Sequence, residues 1–225
     1  MIGLIMCTRE CNLRCRYCFE EENFKSVVLP GRKKINETFE SSMPILKSFC
    51  KQLIDYNSIY GYENIFTFHG GEPLLIYPSL IDEMCEYINQ IAGKAKFNIQ
   101  TNGTLLDDET IQILKKWDFN VGVSIDGCEE THDENRVNCS GRGTHEHVLR
   151  NIQKLKVAGI CFGTMATITR SISLNPDKFY HFYADNNLNL GFNACYTSPQ
   201  SCNQKNRLDD KEYIRFLMRL FDFSG

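Results

Sequence analysis

The sequence predicts an α/β protein: an open parallel sheet with outer helices, arranged as a partial (β/α)6 barrel. Two observations carry this. Short β-rich runs alternate with segments whose apolar residues recur at helical spacing, from one end of the chain to the other. The glycine- and cysteine-rich turns fall just after the β-rich runs, where parallel α/β proteins put their ligand sites. Six such units are too few to close as the eight-unit barrel does.

The first strand is the apolar run Ile2–Met6, expected to be buried. A helix follows over Asn36–Tyr56, with Phe39, Met43, Leu46, Phe49 and Leu53 at helical spacing and Asn36 at its start. Asn64–Phe68 is the second strand and Leu80–Ala92 the second helix. Lys96–Thr101, Asp107–Lys116 and Asn120–Ile125 continue as strand, helix, strand. Thr144–Ala158 sets Val148, Ile152 and Leu155 on one helix face and is stopped by Gly159. Cys161–Ile168 is rich in β-branched residues, Pro176–Asn186 is a helix with proline at a tolerated early position, and Asn189–Ala194 is the sixth strand. The polar stretch Thr197–Asn206 reads as a linker to a last amphipathic helix, Asp209–Phe223.

Composition narrows the function classes. The chain has 225 residues, 42% hydrophobic and 24% charged, with a net charge of −3. That balance gives no reason to expect nucleic acid or an anionic membrane as partner. No apolar run approaches the roughly 18 residues of a membrane span, and the short apolar N-terminus lacks the basic flank of a signal peptide, so a cytoplasmic location is expected. Eleven cysteines in such a chain point to metal or redox chemistry rather than a disulfide framework. Cys50, Cys85 and Cys161 sit in apolar patterns and are expected to fill the core.

The dense group is Cys11-Asn-Leu-Arg-Cys15-Arg-Tyr-Cys18, three thiols spaced CxxxCxxC after the first strand. A loop can fold such thiolates around one face of an iron–sulfur cubane, and three ligands to four irons leave one iron open to a small molecule. A zinc site with Cys7 as fourth ligand, and unliganded thiols, are the alternatives on spacing alone. The second motif is His69-Gly70-Gly71-Glu72-Pro73, after the second strand. Its glycines permit close backbone approach, Glu72 offers an acceptor to an ammonium group, and Pro73 stiffens the exit. Further on come Gln100-Thr-Asn102-Gly103, Ser124-Ile-Asp126-Gly127, His132-Asp-Glu-Asn-Arg136 and Gly141-Arg-Gly143; the two Gly dipeptides alone would be ordinary turns.

CxxxCxΦC, with Tyr17 as the aromatic Φ, followed by an intact GGEP, resembles the radical S-adenosylmethionine (SAM) superfamily. The downstream motifs are similar to the anaerobic sulfatase-maturating enzymes and other peptide-modifying radical enzymes with SPASM domains. The resemblance implies a radical SAM barrel, an oxidoreductase or maturase activity, a [4Fe–4S] cluster on Cys11, Cys15 and Cys18, and S-adenosyl-L-methionine at the open iron. It implies that Gly70, Gly71 and Glu72, with Pro73, receive the methionyl amino group and that Tyr17 lies near the adenine. It also implies Ser124 at the ribose, Arg136 at the methionyl carboxylate, and Gln100 and Asn102 lining the pocket. A peptide or protein substrate and an electron donor of the flavodoxin or ferredoxin class are the implied partners. By the same resemblance residues 1–206 form the core, and 207–225 form a bridging helix toward a SPASM-like domain that this sequence does not contain. A radical enzyme acting on a small metabolite, and a non-catalytic cluster-binding module, stay open. So do substrate, product, oligomeric state and the catalytic acid or base; Asp126 and His132 are explained equally well as turn and loop residues.

Overall fold

The computed structural model describes residues 1–18, 29–195 and 204–223. Cys202 and most of the expected linker lie outside the described residues; its last part, Gln204–Asn206, is a short 3-10 turn. Six strands form one sheet in the order β1-β2-β3-β4-β5-β6: β1 Ile2–Thr8, β2 Ile65–Gly70, β3 Lys96–Thr101, β4 Asn120–Ser124, β5 Phe162–Ile168 and β6 Leu190–Ala194. The pairings β1·β2, β2·β3 and β5·β6 are parallel, as helical crossovers require. The helices are α1 Arg32–Tyr60, α2 Pro78–Ala92, α3 Asp108–Lys116, α4 Glu129–Asp133, α5 His145–Ala158, α6 Arg170–Ser173, α7 Pro176–Asp185 and α8 Asp210–Asp222. The chain divides into two compact units, one of Met1–Asn12, Val28–Gly122 and Arg150–Phe162, the other of Leu13–Val27, Val123–Leu149 and Gly163–Gly225.

In the first unit the strand period of two sets Phe66 and Phe68 of β2 and Phe97 and Ile99 of β3 into the core. Phe68, Phe97 and Phe119 form a ring cluster with centroids 5.5–6.5 Å apart. Phe39, Met43, Cys50 and Leu53 of α1 and Ile81, Met84, Cys85 and Ile88 of α2 are buried in the same unit. The alternate strand positions are polar: Asn98 Nδ2 donates to Thr67 Oγ1 at 3.3 Å and Asn120 Nδ2 to Asn98 Oδ1 at 3.2 Å. In the second unit Ile125, Ala166, Ile168, Ile172, Phe179, Tyr183 and Phe216 are buried. Local signals fix the helix ends. Asp107 caps α3 through Thr110 N, Asp209 and Glu212 form a capping box on α8, and Pro78 and Pro176 open α2 and α7.

Three expectations are corrected. The run Ile2–Met6 is not buried throughout: Gly3 and Ile5 face inward, while Ile2, Leu4 and Met6 are about half exposed, because successive strand residues point to opposite faces and only one face of β1 is packed among the described residues. Helix α1 begins at Arg32, not Asn36. Asn36 is an interior residue whose Nδ2 donates to Leu75 O at 3.0 Å and whose Oδ1 accepts from Tyr77 N at 2.5 Å, so its polarity serves a tertiary contact rather than a cap. Cys161 is exposed, since it precedes β5 and its carbonyl, not its side chain, is engaged, by Val121 N at 3.0 Å. Cys50 and Cys85 are fully buried as expected.

Candidate functional site

Cys11 belongs to the first unit, Cys15 and Cys18 to the second, and each is half-buried with its thiol outside any disulfide. The Cys7 thiol points the other way along the β1 alternation, into the core. There its Sγ donates to Ile5 O at 3.7 Å, and burial drives it far above the usual thiol range.

In the first unit the cysteine loop begins against the Gly70–Pro73 turn. Gly71 N donates to Thr8 O at 2.8 Å and Glu72 N to Glu10 O at 2.9 Å. Both glycines are needed here. Gly70 has φ of +136°, and a Cβ on Gly71 would lie 2.4 Å from Glu10 O and 2.5 Å from Arg9 O. The close approach that these glycines allow is to the chain's own Thr8–Glu10 backbone.

Glu72 is fully buried and its carboxylate is taken up locally. Oε1 accepts from Leu74 N at 3.0 Å and Thr101 Oγ1 at 2.7 Å, and Oε2 accepts from Asn102 N at 2.7 Å. Burial raises its pKa to about 7, against these three hydrogen bonds. Asn102 then continues the chain of contacts: its Nδ2 donates to Asn12 Oδ1 at 2.9 Å and approaches Cys11 Sγ at 3.7 Å, while its Oδ1 accepts from Thr104 N and Oγ1. Asn12 Nδ2 donates to Thr104 Oγ1 at 2.8 Å. Cys11, Glu72 and Asn102, from three separate motifs, therefore share one network. Asn12, Thr101 and Thr104 join it without a sequence signal of their own. Pro73 is buried at the start of a 3-10 turn, and Gln100 is half-buried beside Gly122, where a Cβ would meet its Oε1.

In the second unit the cysteine loop runs along residues 135–138. Arg14 N donates to Val137 O at 2.7 Å, Arg16 N to Asn135 O at 3.0 Å, and Leu13 and Asn138 form an antiparallel bridge. Cys18 N closes a turn on Cys15 O at 3.0 Å. Asp126, fully buried, accepts from the Tyr17 hydroxyl, from Arg136 Nε at 2.9 Å and Nη2 at 3.2 Å, and from Thr167 N at 2.9 Å. The Arg136 guanidinium lies 5.4 Å from the centre of the Tyr17 ring. Burial holds the Tyr17 hydroxyl protonated; burial alone would lower Arg136, but Asp126, Tyr17 and Cys15 together outweigh it and the guanidinium stays charged. Burial also pushes the Cys15 thiol up to about 11, while Arg136 pulls it down. Arg136 is thus no solvated loop charge, and Asp126 and His132 are core residues rather than simple turn residues. Ser124 is half-buried at the end of β4.

The donor set fits an iron–sulfur cluster: three thiols within eight residues, half-buried, each preceded or flanked by backbone held in place. Nearby, the buried amide nitrogen of Asn135 has no partner among the described residues, a donor available to a bound group.

The Radical SAM superfamily model matches residues 5–183. The chain is 27% identical over 220 residues to the cysteine-type anaerobic sulfatase-maturating enzyme of Clostridium novyi (strain NT), covering 94% of this chain and 56% of that one. It is 35% identical over 177 residues to the serine-type anaerobic sulfatase-maturating enzyme of Bacteroides thetaiotaomicron, covering 78% of this chain and 41% of that protein. The solved structure of native anSMEcpe with bound AdoMet and Cp18Cys peptide superposes with a TM-score of 0.81 at 26% identity, over 99% of this chain and 58% of that one. The chain thus spans little more than half the length of these relatives at most.

Proposed function

This chain belongs to the radical SAM superfamily, and from that premise we propose that it is the cofactor-binding core of an enzyme that modifies a side chain in a peptide or protein. When bound, a reduced [4Fe–4S] cluster supplies the electron that splits S-adenosyl-L-methionine into methionine and a hydrogen-abstracting 5′-deoxyadenosyl radical. The observation that carries the reading is the Asn102 junction: its amide reaches Cys11 Sγ while its backbone N–H is held by Glu72, joining the first cysteine to the GGEP turn.

Cys11, Cys15 and Cys18 are the proposed cluster ligands. Asn102 Nδ2, donating toward Cys11 Sγ, would ease reduction, because N–H···S bonds disperse charge on a ligating sulfur. The carbonyls of Gly70 and Gly71 take the methionyl ammonium, and Glu72, with both oxygens engaged, holds their turn rather than meeting the ligand itself. Arg136 offers Nη1, the nitrogen that Asp126 does not hold, to the methionyl carboxylate. The Ser124 hydroxyl suits a ribose, Tyr17 an adenine face, and Gln100 and Asn102 line the pocket.

The peptide substrate class rests on likeness to the sulfatase-maturating relatives, and a low-potential donor of the flavodoxin or ferredoxin class would supply the electron. Residues 1–206 are the proposed core. Helix α8 is the proposed bridge to a SPASM-like segment; it buries Phe216 and leaves Met218 and Phe221 exposed. Anoxically reconstituted protein given dithionite, S-adenosylmethionine and a cysteine- or serine-containing peptide should release 5′-deoxyadenosine and alter the mass of the peptide. Full iron and sulfide loading without 5′-deoxyadenosine would rule out the catalytic reading.

A further inference from the structure

The Asp126 carboxylate sits in a closed ring of hydrogen bonds within the second unit. Asp126 N donates to His132 Nδ1 at 3.2 Å, and His132 Nε2 meets Thr144 Oγ1 at 3.0 Å. Thr144 Oγ1 donates to Arg136 O at 3.0 Å, and the Arg136 side chain returns to both oxygens of Asp126. Asp126, His132, Thr144 and Arg136 are each at most 7% exposed. Only one set of proton positions satisfies the ring. A backbone N–H can only donate, so Nδ1 accepts and Nε2 carries the proton; the Thr144 hydroxyl then accepts it and spends its own on a carbonyl, which can only accept. The imidazole is therefore the neutral Nε2–H tautomer.

The ring is braced from outside. Thr131 Oγ1 donates to Asp126 O at 2.7 Å, Tyr183 Oη donates to Ile125 O at 2.6 Å, and His145 Nε2 donates to Gly127 O at 3.1 Å. The turn that carries Asp126 is held on each side, and the carboxylate has one orientation. On that carboxylate meet the two side chains that flank the second half of the cysteine motif, Tyr17 and Arg136.

We propose that Asp126, locked by the His132–Thr144–Arg136 ring, is a positioning residue that fixes Tyr17 and Arg136 for S-adenosylmethionine and sets the charge beside Cys15. The proposal rests on the cofactor assignment made above. A buried carboxylate paired bidentately with Arg136 presents the remaining guanidinium edge in one direction only, and it offsets the positive charge next to a ligating sulfur. The ring costs nothing to reorganise when ligand arrives, because its members are already in place.

The test uses the full chain, reconstituted without oxygen, as wild type, Thr144→Val, Thr144→Ser and Asp126→Asn. Iron and sulfide per chain, the dissociation constant for S-adenosylmethionine without reductant, and the cluster reduction potential are measured. Thr144→Val keeps the shape but removes two links of the ring; it should load cluster normally and bind S-adenosylmethionine about tenfold more weakly, the effect of one charge-assisted hydrogen bond. Thr144→Ser should restore wild-type affinity. Asp126→Asn removes a negative charge beside the cluster and should move its potential to less negative values. Loaded variants with wild-type affinity and potential, changed only in melting temperature, would make the ring structural and overturn the proposal. Should Asp126→Asn fail to fold, the Thr144 pair decides alone. A wild type that takes up no iron and sulfide sinks the cofactor assignment, and this proposal with it; a loaded wild type beside indifferent variants sinks this proposal only.

Discussion

Glu72 Oε2 accepts the backbone N–H of Asn102 at 2.7 Å, so the turns that follow β2 and β3 are tied through one buried carboxylate. Two further donors, Leu74 N and Thr101 Oγ1, converge on its other oxygen. Replacing Glu72 with Ala would strand all three inside the protein. At about 1–3 kcal/mol for each buried donor left unmade, a loss of roughly 3 kcal/mol or more is expected. Glu72→Gln should cost less, since only one oxygen becomes a donor facing a donor. Urea unfolding monitored by circular dichroism measures both, and equal midpoints for Glu72→Ala and wild type would refute the tie.

A methyl group at Gly71 collides with backbone, not with a movable side chain: Glu10 O at 2.4 Å and Arg9 O at 2.5 Å. Gly71→Ala must push the start of the cysteine loop away from the turn. The expected result is a lower yield of iron and sulfide per chain after anoxic reconstitution, with the rest of the fold intact by far-ultraviolet circular dichroism. Gly141→Ala is the contrast: φ is +75° there but nothing lies within 4 Å of the added carbon, so a modest loss of stability and a normal cluster yield are expected. Equal iron yields from the two variants would remove the steric argument.

Most of the fold was legible because β and helical periods are local properties of the chain. Phe66 and Phe68, or Val148, Ile152 and Leu155, announce their buried faces by spacing alone. What spacing could not reveal was which face of an apolar run stays uncovered, as with Ile2, Leu4 and Met6, since that depends on what distant segments pack on each face. The short helices α4 and α6 carry no such signal, being too brief to show a period. The candidate site divides in the same way. Cys11, Glu72 and Arg136 stood out by motif. Asn12, Thr144 and Thr167 carry no signal, because their roles are hydrogen bonds to residues 12 to 92 positions away. Asn36 misled for a related reason: a buried asparagine satisfying a distant backbone has the same spelling as a helix cap.

Cluster binding by three thiols makes a simple comparison. Cys11→Ala, Cys15→Ala and Cys18→Ala should each abolish the broad visible absorption of reconstituted protein and most of its acid-labile sulfide. Cys139→Ala, which changes an exposed thiol on another loop, should retain both. If Cys11→Ala bound iron and sulfide as well as Cys139→Ala, the ligand assignment would be wrong.

Two buried groups titrate with opposite sign, and their pH windows overlap. Burial lowers His132 from 6.5 to about 2, so its contribution to stability is full above pH 6.5 and is lost as pH falls toward 2. Burial raises Glu72 from 4.5 to about 7, so its contribution is full below pH 4.5 and is lost as pH rises to 7. Each group alone would give a slope near 1.4 kcal/mol per pH unit, in opposite directions. Between pH 4.5 and 6.5 the two cancel, and below 4.5 the His132 slope acts unopposed. Removing one group should expose the other. Relative to wild type, Glu72→Gln should lose stability as pH falls through that shared window, and His132→Gln, which keeps an acceptor for Asp126 N, should gain it. Urea midpoints taken at about pH 5 and about pH 7 compare the three proteins. Curves that run parallel between these values would mean that neither group changes its proton occupancy on folding.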